Sequence, residues 1–221
     1  MNFSRNNPSP RYLALQEQYR AMHEKGEGFL GIPAEETFPG ASLAPQAARI
    51  KRLIDLTEAV TILDYGSGKG KQYSPRAIKD GSGGEWSGIA DYWDVEPVVC
   101  YDPCYPPFST LPSGRFDGVI STDVLEHCPD EDMPWIIGEI FDYAKRFVFA
   151  NVACYPARKR LPNGENAHCT IKPVTWWSET IENVARKHPG IMWEVWIQSK
   201  VKTPQGEEYI EHRIGSDSSA A

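Results

Sequence analysis

Apolar residues recur along this chain at two kinds of spacing, and each spacing predicts a different element. Steps of three and four residues predict amphipathic helices over residues 11–25, 45–57, 135–143 and 173–187. Short apolar runs bounded by glycine, proline or acidic residues predict buried strands over 61–63, 97–101, 116–122 and 146–152. Residues 191–201 alternate between apolar and polar and turn at 203–206 into 208–214, which predicts a final antiparallel hairpin. This order is typical of an α/β fold with a mostly parallel sheet.

Segments rich in glycine, proline or polar residues predict the connections. Residues 29–45 are predicted to form a loop, and residues 155–170 a long polar loop after the fifth strand. Residues 71–79 predict a short helix interrupted by Pro75, followed by a glycine-rich surface excursion at 80–84. The first ten residues are polar, as are residues 216–221, and both ends are expected to be loosely held.

Composition narrows the class of protein. The chain has 221 residues, 41% of them hydrophobic and 24% charged, which suits one globular α/β domain with appendages. The net charge of -7 argues against DNA or large RNA as the main partner, because a nucleic-acid backbone needs a basic face. No apolar run is long enough to cross a membrane and no signal peptide is visible, so a cytoplasmic location is expected. The five cysteines include no Cys-x-x-Cys pair, so free thiols and no metal site are predicted.

A glycine-rich turn directly follows the first predicted strand. The strand ends at an acid and continues as Asp64-x-Gly66-x-Gly68-x-Gly70. Glycines in this rhythm allow positive φ angles and close approach of a ligand to the backbone, since they carry no Cβ atom. A nucleotide-like ligand at the carboxyl end of a parallel strand is therefore predicted.

Two common nucleotide motifs do not fit this turn. A phosphate-binding P-loop requires Ser or Thr after Gly-Lys, whereas Gly70-Lys71 is followed by Gln72. The dinucleotide pattern Gly-x-Gly-x-x-Gly fails because the third glycine comes one residue early. The remaining pattern resembles the first motif of class I S-adenosylmethionine-dependent methyltransferases.

Two later strand ends strengthen this resemblance. Asp102-Pro103 follows the second strand, where the family places the acid that accepts hydrogen bonds from the ribose hydroxyls. The run Phe116-Asp117-x-Val119-Ile120-x-x-x-Val124-Leu125-Glu126-His127 is similar to the fourth-strand motif of the small-molecule branch of the family. The resemblance covers residues 50–152 and implies a Rossmann-like methyltransferase fold closed by a C-terminal antiparallel hairpin.

One departure from the family pattern concerns the segment after the second strand. The family has a helix and a further strand there, and the end of that strand helps to hold the adenine. Here only residues 103–115 fill the gap, and their four prolines leave no room for both elements. The fold is therefore expected to be shortened after the second strand, with an adenine pocket that is either irregular or built elsewhere, for which residues 108–111 are a candidate.

The resemblance implies S-adenosylmethionine as the cofactor and a set of residues that contact it. The implied cofactor-binding residues are Asp64, Tyr65, Gly66, Ser67, Gly68, Gly70, Asp102, Pro103, Thr122, Asp123 and Val124. It also divides the chain into an N-terminal helical cap and loop (1–45), a methyltransferase domain (46–215) and a disordered tail (216–221).

Two histidines compete as the general base that an oxygen acceptor would need. His168 lies in the long loop after the fifth strand, and His127 ends the fourth-strand motif; either histidine could instead be structural. Arg158, Glu165 and Asn166 of the same loop are predicted to bind substrate, although the basic run around Arg158 also suits a solvated surface.

The sequence thus predicts an enzyme that transfers a methyl group to a small-molecule acceptor at oxygen, such as a glycan, a sugar nucleotide or a secondary metabolite. A protein or RNA methyltransferase is an alternative, although Thr122-Asp123-Val124-Leu125 lacks the Asn/Asp-Pro-Pro-Tyr/Phe pattern of base-methylating enzymes. A non-catalytic module that binds S-adenosylmethionine and regulates a partner is the other. Aminopropyl transfer is less well supported, since no acidic pair suits a polyamine.

Overall fold

The computed structural model describes residues 3–79, 84–204 and 206–216. Its α-helices in this part of the chain are α1 (Pro10–Lys25), α2 (Ala47–Thr57), α3 (Ile89–Trp93), α4 (Met133–Tyr143) and α5 (Val174–Ala185). Its strands are β1 (Ile62–Tyr65), β2 (Ile78–Lys79), β3 (Glu85–Trp86), β4 (Val98–Tyr101), β5 (Phe116–Thr122), β6 (Ala144–Ala153), β7 (Met192–Thr203) and β8 (Gly206–Gly215). No helix in the described ranges is long and apolar enough to cross a membrane.

The main sheet is mostly parallel and contains six of these strands, in the order β4-β1-β5-β6-β7-β8. Each neighbouring pair in the series β4-β1-β5-β6-β7 is parallel, and β8 pairs with β7 in the antiparallel direction. The chain runs from β1 to β4 on one side and then returns to β5 on the other side of β1. The topological switch point therefore lies between β1 and β5, where open α/β sheets bind their ligands.

Helices cover both faces of the sheet, and for this reason its central strands consist mainly of apolar residues. Every residue of β1 and β5 is buried, as expected for parallel strands that are covered on both sides. The helices α4 and α5 pack on one face around Trp177, which is fully buried. The helices α2 and α3 pack on the other face around Trp93, also fully buried.

The predicted α/β fold with a mostly parallel sheet and a C-terminal antiparallel hairpin is confirmed, and it is compatible with a Rossmann-like arrangement. The predicted shortening is also present, because residues 102–115 contain only one turn of 3-10 helix, Pro106–Phe108. The five cysteines are free thiols, as predicted.

The predicted helix over residues 71–79 is wrong. The chain forms a single 3-10 turn, Lys71–Tyr73, and then β2, which pairs with β3 as a small antiparallel hairpin. Pro75 has no amide hydrogen to donate, so the turn does not extend into a helix. Most of the excursion predicted at 80–84, the centre of the turn at 203–206 and nearly all of the predicted tail lie outside the described residues.

The N-terminal helix α1 is docked on α4 by a buried carboxylate. Asp132 Oδ1 accepts hydrogen bonds from the backbone N–H of Ser9, at 3.0 Å, and from the indole N–H of Trp135, at 2.7 Å. The Ser9 hydroxyl in turn caps α1 by accepting a hydrogen bond from the N–H of Tyr12. An ion pair between Arg5 and Glu139 adds a second link. These contacts hold α1 beside the carboxyl ends of the strands.

Candidate active site at the carboxyl ends of the strands

A cavity of about 460 Å³ lies at the carboxyl ends of β1, β4, β5 and β6. This volume falls within the range of small-molecule sites. The loops that follow the four strands form one side of the cavity, and α1 with the loop after residue 37 forms the other. The lining residues discussed below are Tyr19, His23, Phe38, Gly66, Gly68, Asp102, Thr122, Asp123, Val124, His127, Tyr155, Arg158, Lys159, His168, Lys200 and Tyr209.

The glycine turn is packed so tightly that side chains are excluded. Gly66, Gly68 and Gly70 have φ angles of +85°, +59° and +64°. A Cβ atom on Gly66 would lie 2.4 Å from Cγ2 of Val124, and one on Gly68 would lie 2.4 Å from the carbonyl oxygen of Phe38. Gly66 and Gly68 line the cavity, and both positions need glycine for conformation and because Val124 and Phe38 fill the space that a side chain would occupy.

Asp102 lies on the cavity wall and ties the glycine turn to the end of β4. Its Oδ2 accepts a hydrogen bond from the N–H of Gly68 at 3.0 Å, and its Oδ1 accepts one from the N–H of Cys104 at 2.8 Å. Burial raises the pKa of the Asp102 carboxyl to about 6, against the lowering effect of these hydrogen bonds. Each carboxylate oxygen has a further lone pair with which to accept a hydrogen bond from a ligand.

Asp64 is placed differently from the prediction. Its Oδ2 accepts hydrogen bonds from the Gln72 amide and the Tyr73 hydroxyl, both at 2.9 Å, beneath the turn and away from the cavity lining. Oδ1 is buried and has no hydrogen-bond partner among the described residues. Burial raises the pKa of the Asp64 carboxyl to about 6. Asp64 therefore anchors the turn and does not line the cavity.

Three other residues predicted to contact the cofactor are also directed elsewhere. The Tyr65 hydroxyl contacts Arg5 and Glu139 on the side of the sheet that packs against α4. Ser67 and Gly70 belong to the turn but do not line the cavity. Of the predicted cofactor residues, those that line it are Gly66, Gly68, Asp102, Pro103, Thr122, Asp123 and Val124. Near the adenine pocket predicted at residues 108–111, the Phe108 ring packs against Gly70 and is not part of the lining.

Asp123, His127 and His168 come together on the cavity wall. The Nε2 atom of His168 lies 3.9 Å from Oδ1 of Asp123. The two imidazole rings are 4.8 Å apart between centroids and nearly perpendicular, at 86°. Burial lowers the pKa of His127 to about 4, with Asp123 opposing this effect. From the sequence, the two histidines were alternative candidates for the general base, whereas in the fold they lie next to each other.

Each of these histidines is held by a backbone carbonyl. His127 Nδ1 donates to the carbonyl oxygen of Ala167 at 2.9 Å, and His168 Nδ1 donates to that of Tyr155 at 2.6 Å. A carbonyl oxygen can only accept, and the Tyr19 hydroxyl, 3.1 Å from His127 Nδ1, donates its one hydrogen to Ala167, so both Nδ1 atoms carry a hydrogen. The unprotonated Nε2 atom of each neutral ring is then available for a ligand.

The predicted substrate residues separate into two groups. Arg158 is exposed and lines the cavity. Glu165 instead forms an ion pair with Arg11 on the surface. Asn166 bonds the backbone N–H and carbonyl of Ala157 and accepts a hydrogen bond from the N–H of His168, all at 2.9 Å. Neither Glu165 nor Asn166 lines the cavity; Asn166 organises the loop that carries His168.

The sequence analysis missed several residues at the cavity. From α1, Tyr19 donates a hydrogen bond to the carbonyl oxygen of Ala167 at 2.5 Å and packs edge-on against Phe38. Farther along the lining, the Nζ atom of Lys200 lies 5.0 Å from the centre of the Tyr155 ring and 5.1 Å from the centre of the Tyr209 ring. The amphipathic spacing of α1 indicated only that one side of this helix is buried. The spacing did not indicate that the buried side contacts a ligand.

The position of Glu126 is also not predicted by the sequence motif that follows β5. It is fully buried, and its Oε1 accepts a hydrogen bond from the N–H of Ala153 at 2.7 Å. Burial raises the pKa of the Glu126 carboxyl well above its usual range, and the nearby charge of Asp123 adds to this effect. Glu126 thus connects the turn carrying His127 to the end of β6.

Comparison of the chain with models of known protein families and with curated proteins gives no match.

Proposed function

We propose that this protein is an S-adenosylmethionine-dependent methyltransferase that acts on an oxygen atom of a small-molecule acceptor. One observation supports this most directly: the glycine turn, Asp102 and the end of β5 share a cavity with two imidazoles. The first three features suit the cofactor, and the histidines suit the acceptor. The cavity lies at the switch point of the sheet, which is the general ligand site of such folds.

The residues on the wall fit this cofactor in chemical terms. Gly66 and Gly68 line the cavity without a side chain, and the spare lone pairs of Asp102 suit the vicinal hydroxyls of a ribose. Thr122, Asp123 and Val124 would border the same ligand from the end of β5. When bound, S-adenosylmethionine supplies an electrophilic methyl group.

The protein's own contribution would be to position the acceptor and to receive its proton. An in-line displacement depends mainly on holding the two reactants in line at short distance. In the neutral ring of His168, Nε2 carries no hydrogen and lies 3.9 Å from Oδ1 of Asp123, so it can take the proton of an acceptor hydroxyl. Arg158 and Lys159 add positive charge to the cavity lining, whereas Lys200 is paired with Glu207; the first two cations favour an acceptor that carries acidic groups.

Calorimetric titration of the purified protein with S-adenosylmethionine, and separately with NAD, tests the cofactor assignment. We expect micromolar binding of S-adenosylmethionine and none of NAD, because the glycine turn lacks the dinucleotide spacing. If S-adenosylmethionine does not bind, the proposal is wrong. Binding without methyl transfer to any acceptor in a broad screen would favour a regulatory module instead.

The affinity for S-adenosylmethionine is expected to fall as the pH is lowered from 7 to 5. Burial raises the pKa of Asp102, which lines the cavity, to about 6, so this carboxyl is ionised above this pH and becomes protonated below it. Protonation removes the negative charge that favours a cationic ligand, and the loss is limited to about tenfold per pH unit for each proton taken up. Calorimetry at several pH values would measure this profile.

The variant Asp102→Asn provides the control for this pH dependence. It should bind S-adenosylmethionine more weakly than the wild type at pH 7.5 and show a flatter profile between pH 7 and 5. An affinity that stays constant or rises on acidification in the wild type would contradict the assigned role of the Asp102 carboxylate.

A further inference from the structure

Three potential metal ligands converge on the cavity wall. One ligand atom from each of Asp123, His127 and His168 lies within 4.8 Å of the other two. All three residues line the cavity, so an ion bound there would be open to small molecules. The absence of a Cys-x-x-Cys pair led to a prediction of no metal site, whereas these ligands are a carboxylate and two imidazoles from segments 41 residues apart.

The hydrogen bonds around the histidines are those of metal ligands. In metal sites a coordinating histidine almost always donates its other ring N–H to a carbonyl or carboxylate, which fixes the tautomer and the ring orientation. Both His127 and His168 do this, through Ala167 and Tyr155. In the described part of the chain neither Nε2 atom takes part in a hydrogen bond, and the 3.9 Å between His168 and Asp123 is too long for one.

The candidate ligands differ in how firmly their side chains are held. Asp123 adopts a left-handed backbone conformation, with φ of +60°, which is uncommon for a residue other than glycine. His168 is buried and its side chain is only 6% exposed, whereas the Asp123 side chain is 45% exposed. Two fixed imidazoles and one adjustable carboxylate can therefore close around an ion whose bonds are about 2.0–2.2 Å long.

We propose that Asp123, His127 and His168 bind one divalent first-row transition metal ion through a carboxylate oxygen and two imidazole Nε2 atoms. Two imidazoles and one carboxylate suit zinc, iron or manganese better than magnesium or calcium, which prefer oxygen ligands alone. Three protein ligands leave coordination positions open toward the cavity. If the proposed function is correct, the ion would bind an acceptor oxygen there and lower the pKa of its hydroxyl.

The test is a titration of chelator-treated protein with Co²⁺ alone, followed by visible absorption, and with Zn²⁺ alone, followed by calorimetry. We expect one equivalent of each ion to bind, with ligand-field bands for Co²⁺. His168→Gln and Asp123→Asn should each weaken binding at least about tenfold. Asp123→Asn alters an exposed side chain and so keeps the test informative even if the buried His168 variant unfolds.

His188→Gln is the matched control. Nδ1 of His188 lies 3.7 Å from Oδ1 of Asp142, so the two residues form a similar histidine–carboxylate pair. His188 does not line the cavity and, among the described residues, belongs to no cluster of three potential metal ligands. This variant should bind Co²⁺ and Zn²⁺ as the wild type does. Equal affinity in the wild type and in Asp123→Asn, or the absence of ligand-field bands, would overturn the site.

Parallel titration with S-adenosylmethionine separates this inference from the proposed function. Cofactor binding without metal binding would overturn the metal site alone. Metal binding without cofactor binding would support the site and overturn the methyltransferase assignment.

Discussion

Replacement of Gly66 by valine is expected to abolish binding of S-adenosylmethionine. The new Cβ would lie 2.4 Å from Val124, and valine is strained at the φ of +85° that this position requires. The turn must therefore shift or the end of β5 must move, and both line the cavity. We expect a loss of at least about 3 kcal/mol of binding free energy, about 100-fold in Kd, measured by calorimetry.

Gly138→Val is the control for this substitution. Gly138 lies in α4, has an ordinary helical backbone and has open space where a Cβ would be placed. This variant should bind the cofactor normally. Combining Gly66→Ala with Val124→Ala should restore part of the affinity relative to Gly66→Ala alone, because it removes the two clashing methyl groups. Unchanged binding by Gly66→Val would show that the cofactor lies away from this turn.

Replacement of His168 by glutamine is expected to slow methyl transfer about 10²- to 10⁴-fold while leaving cofactor affinity unchanged. His168 lines the cavity with its Nε2 atom 3.9 Å from Oδ1 of Asp123, and loss of the imidazole removes the atom proposed to receive a proton or to bind a metal ion. Glutamine has a similar size, so packing against Tyr155 should be largely kept. The rate would be followed as S-adenosylhomocysteine formed with the first acceptor found by screening.

Chelation distinguishes the two roles of His168. If the imidazole acts only as a base, treatment of the wild type with a chelator should leave turnover intact. If it binds a metal ion, chelation should reduce wild-type turnover toward the level of the variant, and added Zn²⁺ or Mn²⁺ should restore it. A variant with wild-type turnover would exclude both roles.

The parts of this site that lie within a strand and its following turn were predictable from sequence. The Asp64 turn, Asp102 and the β5 motif each place their residues locally, and a parallel sheet brings strand ends together whatever the loops do. Local pattern also showed that residues 103–115 are too short and too rich in proline for a helix and a strand.

The parts that depend on distant contacts were not predictable. Asp64 is turned away from the cavity because Gln72 and Tyr73, from the 3-10 turn, provide its hydrogen bonds. His127 and His168 meet only because the 155–170 loop folds back over the β5 end, held by Asn166. Glu165 is drawn to the surface by Arg11 of α1, a partner 154 positions away. The distribution of charged residues and the spacing of motifs along the chain do not indicate such long-range pairings.

The docking of α1 through Asp132 and Ser9 links the N-terminus to the cavity, because the same helix supplies Tyr19 and His23 to its wall. Any molecule that fills the cavity touches both α1 and the strand ends, and it binds only while the helix is in place. The free energy of detaching α1 then includes that of releasing the ligand. Amide hydrogens of α1 would exchange more slowly as the ligand concentration rises, so this helix acts as a local reporter of occupancy.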